Sequence, residues 1–547
     1  MASDETSHDT PIQLWPLLSV AFILCASPLL VLAFELWRKS RQSPKVRSVA
    51  VVVLGDIGRS PRMMYHADSF AQADFDTWII GYRGSRPIPS LRSMRYLYVS
   101  IPSRLLNKAP RILFPLIAPW KVAVQTISLA NCLLFRMRHA PEFIIVQNPP
   151  SIPTLAVVKF AAFIRHSKVI IDWHNTGYSI LALRLGERHA LVKLSKRFEG
   201  YFGQHAYAHL FVTDAMRKAL IAQWDLRGHA VVLHDRPPSH FHPGDPLETH
   251  ELFVRLFHED PEDLAIHDFL PEFDAPKSTP FTEVTTSPHG TFAHVDLTVS
   301  PFSDTDVTVL RQDRPALLVS STSWTPDERF DILLSALELY EAAAARAAGS
   351  PTPLPKVLVL VTGRGPMRAQ YMETMGHLEK TWKWVRCRSL WLEAEDYPRL
   401  LGAADLGISM HASSSGLDLP MKIVDMFGCG LPVCALNFAC LHELVQDSKN
   451  GRVFEDAPHL ASQLELILTG YPRASVLEQL RKSLVAQRAD PSSWGSWQDN
   501  WSHVIRPLIL PGAVEAGAEK WLEGFAQRHA GEDSVRSGNR PLPSALQ

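Results

Sequence analysis

The stretch SVAVVVLGDIGRS, residues 48–60, decides the fold. From Val49 to Leu54 it is unbroken apolar, rich in β-branched residues and shorter than a helix needs. Such a run suits a strand buried on both faces of a parallel sheet. A turn with Gly55 and Gly58 follows, and a helical stretch begins at Pro61. Further short apolar strands are read at 77–81, 143–146, 169–171 and 210–212, with helical segments between them at 152–165 and 191–206. Strand alternating with helix predicts a doubly wound α/β domain over 49–236. The pattern restarts with ALLVSSTS at 316–323, a helix over 330–347, VLVLVTGRGP at 357–366 and strands at 406–410 and 432–436. A second domain of the same class is therefore predicted over 314–480. Residues 481–511 read as helical, with Trp494, Trp497 and Trp501 on one packing face, and 512–547 as a flexible tail. The intervening segment 237–313 is rich in Pro, His, Asp, Ser and Thr, and reads as a linker with a partly disordered insertion.

Upstream, LWPLLSVAFILCASPLLVLAFELW at 14–37 carries one acid, Glu35, and no base. About 20 apolar residues cross a bilayer as a helix, so 14–37 is predicted to be a transmembrane helix behind a short tail at 1–13. A cleaved signal peptide fits less well, because the run is too long and no basic region precedes it. Asp4, Glu5 and Asp9 lie before it, while Arg38, Lys39, Arg41, Lys45 and Arg47 fill a basic linker at 38–48. Positive charge stays on the cytoplasmic side, so both domains are expected in the cytoplasm and the sequon at Asn500 should remain unmodified. Residues 101–129 mix apolar side chains with Arg104, Lys108, Arg111, Lys121 and Trp120. That pattern fits a helix lying on a membrane surface or an ordinary helix covering the sheet.

With a formal net charge of -1, composition gives no case for nucleic-acid binding. The six Cys (25, 132, 387, 429, 434 and 440) lack zinc spacing and read as reduced thiols rather than a disulfide framework.

The loops at the ends of the predicted strands carry the chemistry, since ligands of such sheets bind there. In SSSGLDLPMKIVDMFGCGLPV, 413–433, Ser414, Ser415 and Gly416 offer hydroxyls and close backbone approach ahead of a helix, whose free N–H groups attract anions. Lys422 adds a point charge suited to a diphosphate. Asp425, one turn on, can accept hydrogen bonds from ribose hydroxyls. The bland reading is an ordinary helix bearing a Lys–Asp pair.

Pro420, Lys422, Asp425, Gly430 and Pro432-Val433 resemble in their spacing the nucleotide-sugar motif of GT-B glycosyltransferases. That group usually has Glu where this chain has Asp425. Longer strings are similar to one family: GDIGRSPRM (55–63), NPPSIPTL (148–155), DWHNTGYSIL (172–181), SSTSWTPDE (320–328), WLEAEDYP (391–398), HASSSGLDLPMKIVDMFGCGLPV (411–433) and CLHELV (440–445). Together they resemble the chitobiosyldiphosphodolichol β-mannosyltransferases, glycosyltransferase family 33, over roughly 49–510; the segment 237–313 matches poorly. The resemblance implies a GT-B fold, two facing Rossmann-like domains behind an N-terminal transmembrane helix, with helices over 481–511 crossing back to the first domain. It further implies inverting transfer of mannose from GDP-mannose to dolichol-linked chitobiosyl diphosphate, on the cytoplasmic face of the endoplasmic reticulum membrane. Homo-oligomers and complexes with later mannosyltransferases of the pathway are family-level expectations.

Carried onto this sequence, the resemblance assigns roles. Inversion needs a general base. Asp56, just after the first strand where inverting GT-B enzymes often place their base, is the first candidate; its competing reading is an Asx turn or helix cap. Asp172 and His174 share one side of a strand, so His174 could touch the donor sugar or be the base with Asp172 orienting it. Gly55, Gly58, Arg59, Arg62 and Asn148 fall on the acceptor side, the two arginines suiting the lipid diphosphate. Ser323, Gly363, Arg364, Ser414, Ser415, Gly416, Lys422 and Asp425 would hold the donor, with Trp391 beside its guanine. No metal cage is visible in the sequence, and GT-B chemistry generally uses protein cations instead, so no cofactor or divalent metal is expected. Two alternatives stay open: the same scaffold with another nucleotide sugar, and a non-catalytic scaffold that gathers pathway enzymes.

Overall fold

A computed structural model describes residues 47–100, 114–259, 266, 268–286, 306–325, 328–393, 395–411, 416–490 and 495–510. The predicted membrane helix at 14–37, its flanks at 1–13 and 38–46, Ser414, Ser415, Trp494 and the tail at 512–547 lie outside these residues, as does 101–113 of the candidate interfacial stretch. The described chain forms two units, one of residues 47–231 with 416–418, the other of 232–411 and 419–510.

The first unit is built on a seven-stranded sheet ordered β3-β2-β1-β4-β5-β6-β7. Its strands are β1 (Ser48–Asp56), β2 (Asp76–Tyr82), β3 (Arg95–Tyr98), β4 (Phe143–Asn148), β5 (Lys168–Trp173), β6 (His205–Phe211) and β7 (Arg227–Val232). β1 is central and parallel to both neighbours: Val51 pairs with Ile79 on one side and Ile145 on the other. Both faces of β1 are covered, and Val49, Ala50, Val51 and Val52 are wholly buried, which is why that segment reads as a continuous apolar run rather than an alternating one. The connecting helices are α1 (Pro61–Gln72), α2 (Phe114–Asn131), α3 (Thr154–Arg165), α4 (Gly177–Leu185), α5 (Ala190–Gly203) and α6 (Asp214–Trp224). The order of strands reverses between β1 and β4, so the carboxyl ends of these two strands flank the crevice that such sheets use for ligands.

The second unit repeats the plan with six parallel strands ordered β12-β11-β10-β13-β14-β15. They are β10 (Ala316–Ser321), β11 (Val357–Thr362), β12 (Val385–Leu390), β13 (Leu406–Ser409), β14 (Val433–Leu436) and β15 (Gly451–Phe454). Its helices include α8 (Phe330–Ala347), α9 (Arg368–Leu378), α10 (Asp396–Ala403), α11 (Met421–Gly428), α12 (Ala457–Leu468), α13 (Ser475–Ala489) and α14 (Trp497–Val504).

The segment 237–313 differs from its reading as a linker. It holds α7 (Pro246–Glu259) and an antiparallel hairpin of β8 (Thr282–Thr286) and β9 (Asp306–Leu310). Leu252, Phe253, Phe269 and Phe281 are buried in one cluster with Leu317 and Val319 of β10 and Leu358 and Leu360 of β11. The Phe253 and Phe281 rings lie 4.3 Å apart. The described parts of the segment thus belong to the second core; their buried apolar residues are split between one helix and the Pro-containing loops after it, which dilutes the periodicity. The residues around α14 group with the second unit. Trp497 and Trp501 are buried, and Asn500 Nδ2 donates to the His234 carbonyl at 2.8 Å.

Candidate active site

The ends of β1, β4 and β5 gather most of the first unit's predicted residues. Asp56 closes β1 and caps a short 3-10 turn, 57–59. Its carboxylate accepts from the Gly58 amide at 3.1 Å, the Ser85 amide at 3.0 Å and the Ser85 hydroxyl at 2.9 Å. Slight burial would raise its pKa, but these donors, with Arg59, hold it below the usual carboxylate value. Gly58 is required here, because a Cβ would collide with the Ser85 carbonyl. Arg59 is exposed, its Nε 3.6 Å from Asp56. Gly55 lies beside Asp56 on the same strand end.

Asp172, at the end of β5, is wholly buried. Arg62 grips both its oxygens, at 2.9 and 3.0 Å. His174 Nε2 meets the same carboxylate at 2.9 Å and His66 Nε2 at 3.2 Å. Burial alone would raise the Asp172 pKa; Arg62 and His174 overcome it and hold the carboxyl well below its usual range. Burial pulls His66 down, towards the neutral imidazole. Arg62 therefore differs from its reading as a diphosphate cation: it is buried, and it neutralises Asp172. His174 is partly exposed, and with Nε2 turned to Asp172 its Nδ1 is the second nitrogen available for a proton.

Asn148, at the end of β4, is a clamp. Its carbonyl accepts from the His174 amide at 2.9 Å, and its Nδ2 donates to Glu199 at 2.6 Å and to the Asn175 carbonyl at 3.3 Å. Its buried Oδ1 has no partner among the described residues. Glu199, buried on α5, also accepts from the Gly177 and Tyr178 amides at 2.9 and 3.2 Å. Sequence reading missed both His66 and Glu199. The first carried a signal, since it stands one helical turn beyond Arg62 on α1; the second carried none.

In the second unit Ser323 is exposed after β10, and Gly363 and Arg364 follow β11. Gly363 has φ of 122°, and a Cβ there would collide with the Thr322 carbonyl, so the turn demands glycine. Arg364 lies over the Trp391 ring, 3.8 Å from its centroid. Trp391 is 57% exposed. Lys422, in the first turn of α11, pairs with Glu328, a residue the sequence reading did not single out. Glu328 also accepts from the Thr322 hydroxyl and, at 2.7 Å, from the Ser323 amide. It thereby ties the loop after β10 to α11. Ser321 is engaged with Tyr397, hydroxyl to hydroxyl, at 2.9 Å.

Asp425 lies one turn beyond Lys422 and is partly buried. Burial, reinforced by the nearby Asp235 carboxylate, pushes its pKa up to about 8. Gly416 has φ of 67° and groups with the first unit. Among the described residues no three His, Cys, Asp or Glu side chains gather as a metal cage.

Two Rossmann-like parallel-sheet units with polar loops at their strand ends are typical of GT-B enzymes, and the comparisons agree. The family described as "Glycosyl transferases group 1" matches residues 314–470. The structure of HepE from Anabaena in complex with UDP and glucose covers 84% of this chain and 98% of its own, with a TM-score of 0.52 at 14% identity, a likeness of fold. This chain is a glycosyltransferase. It is 43% identical to the chitobiosyldiphosphodolichol beta-mannosyltransferase of Mus musculus, over 90% of this chain and 95% of that protein. It is also 41% identical to the UDP-glycosyltransferase TURAN of Arabidopsis thaliana, over 84% and 96%. The chain belongs to the chitobiosyldiphosphodolichol β-mannosyltransferase family.

Proposed function

We propose that this chain transfers mannose from GDP-mannose to the 4-hydroxyl of the distal GlcNAc of GlcNAc2-diphosphodolichol, with inversion, forming a β1,4 linkage. It would act on the cytoplasmic face of the endoplasmic reticulum, anchored by residues 14–37 as a single-pass protein. The observation that carries this reading is the 43% identity to the mouse mannosyltransferase over nearly the whole of both chains.

In this reading the acceptor oxygen attacks C1 of mannose as the bond from C1 to the GDP phosphate breaks. The base is His174, which takes the acceptor proton on Nδ1, while Asp172 fixes the tautomer through Nε2, the logic of an oriented histidine. Asp56 is less suited, because its carboxylate already accepts three hydrogen bonds and is held low. Arg364 and Lys422 offset charge on the departing diphosphate. Ser323, Gly363 and Gly416 line its approach, Asp425 takes the ribose hydroxyls and Trp391 lies against the guanine. On the acceptor side Arg59 offers a polar contact and Asn148 positions His174 through its backbone carbonyl, with Gly55 and Gly58 shaping the loop. No metal is assigned a role, so turnover is expected to persist in EDTA.

A second reading, transfer from a UDP-sugar, is favoured only by the printed name of the Arabidopsis relative. The test is incubation of the purified full chain with a chitobiosyl-diphospho-lipid and either GDP-mannose or UDP-sugars. One added hexose from GDP-mannose alone, removable by β-mannosidase, is the expected result. Addition from a UDP-sugar instead would replace the donor assignment.

A further inference from the structure

The helical layer over the β4–β6 side of the first sheet leaves large apolar side chains in solvent. Phe160 and Phe163 on α3 are 57% and 77% exposed, Leu183 on α4 65%, and Leu194 and Tyr201 on α5 59% and 74%. Single exposed apolar residues are ordinary. These lie on helices that pack side by side, α3 against α5 and α4 against α5, and so form a patch. α2 packs beside α3 and adds the exposed Trp120 and Ile127.

The same layer is basic. Lys193, Lys196 and Arg197 project from α5 around an open pocket of about 440 Å³ whose walls include Tyr201 and Trp224. No acid lines it. Gly200 admits the Trp224 ring, since a Cβ there would press 2.8 Å from it. Among the described residues Lys193, Lys196 and Arg197 enter no ion pair, and Lys196 sits over the Tyr178 ring at 5.1 Å. The acid of α5, Glu199, is buried and turned inward.

We propose that α3, α4 and α5 form a bilayer-docking face, with the pocket between Lys193, Lys196 and Arg197 taking the phosphate headgroup of an anionic lipid. Exposed Phe, Leu and Tyr interleaved with uncompensated Lys and Arg is the composition of a surface that lies in the membrane interface. A protein partner is a poorer match, because the centres of protein interfaces are depleted in Lys. The face rests on the membrane placement proposed above and deepens it: the first unit would be held against the leaflet in which a lipid-linked acceptor sits.

The test uses the full chain reconstituted into vesicles of phosphatidylcholine, with or without phosphatidylserine. An environment-sensitive fluorophore is placed at Phe163→Cys, Leu194→Cys or, as control, Gln72→Cys. Gln72 is exposed on α1, which crosses between β1 and β2 and so covers the opposite face of the sheet. Expected are a blue shift and quenching by spin-labelled lipid at 163 and 194 but not at 72, strengthened by phosphatidylserine. The triple variant Lys193→Glu, Lys196→Glu, Arg197→Glu should weaken the phosphatidylserine effect by roughly ten-fold or more, with its melting transition unchanged. Equal signals at 163, 194 and 72 in protein that floats with the vesicles would overturn the docking face while leaving the anchor intact. Quenching indifferent to phosphatidylserine and to the charge reversals would overturn the headgroup pocket. Protein that fails to float at all would sink the membrane placement itself.

Discussion

Asp172 and Asp425 are the same side chain held in opposite states. Around Asp172 a guanidinium and an imidazole overcome the cost of burial, and the carboxylate stays charged. Around Asp425 burial is reinforced by a second carboxylate, Asp235, and the proton stays on up to about pH 8. A carboxyl raised above its unfolded pKa of about 3.9 binds more protons folded than unfolded, so stability falls as pH rises between the two values and levels off above the folded one. Asp425→Asn should therefore raise stability at pH 8, by about 2 kcal/mol after allowance for relaxation and water entry, and raise it little at pH 4. Thermal melts at the two pH values check this. The same variant should lose donor affinity. Asp172 has the opposite sign: its contribution is present above the unfolded pKa and is lost as pH falls through the depressed folded one. For the base, His174→Gln should lower kcat by about 100-fold or more, while Asp56→Asn, keeping an acceptor oxygen for the cap, should stay within about ten-fold. Single-turnover rates on both variants decide it. Of this chemistry, Asp172 with His174 was legible, because strand alternation puts residues two apart on one side. The pairing of Arg62 with Asp172, and of Glu328 with Lys422, was not, since each joins positions about a hundred residues apart.

At the scale of elements, the end of α2 shows how a buried charge shapes a helix. After Asn131 the helix widens into a π-turn over Cys132–Arg136, which leaves carbonyls pointing past its end. Arg165, from the last turn of α3, is buried and answers them, donating to the Leu134, Met137 and His139 carbonyls at 3.0, 3.1 and 2.7 Å. Arg165→Met fills much of the volume and removes every one of those donors. It should cost about 2–4 kcal/mol in urea denaturation and raise amide exchange over 131–137. The helix itself was foreseeable from its apolar pattern; its carbonyl clasp was not, because nothing local marks which distant arginine turns inward. The loop after β10 is a second such case. Trp324 has φ of 50°, rare for a bulky residue, and holds it while buried against Phe330 and Tyr371 and donating to the Gly363 carbonyl at 3.2 Å. The strand and the loop after it were readable, but the loop's backbone strain was not.

At the scale of the molecule, both sheets were legible, because parallel strands covered on two faces write themselves as apolar runs. The segment before β10 was misread, because Pro-rich composition and a mismatch to relatives both suggested that it stood outside the fold. It stands inside. Phe253, Phe269 and Phe281 share a cluster with β10 and β11, and Arg255 on α7 pairs with Asp396 on α10. The stretch matched by the glycosyl-transferase description begins at residue 314, yet the apolar surface it would leave behind has its cover upstream. A polypeptide cut to 314–470 should be insoluble on expression or recovered only as aggregate, whereas one spanning 232–510 should refold from urea and elute as a discrete species by size exclusion. The point where kinship becomes detectable is thus not the point where the chain can be divided: scissors have to follow the phenylalanines.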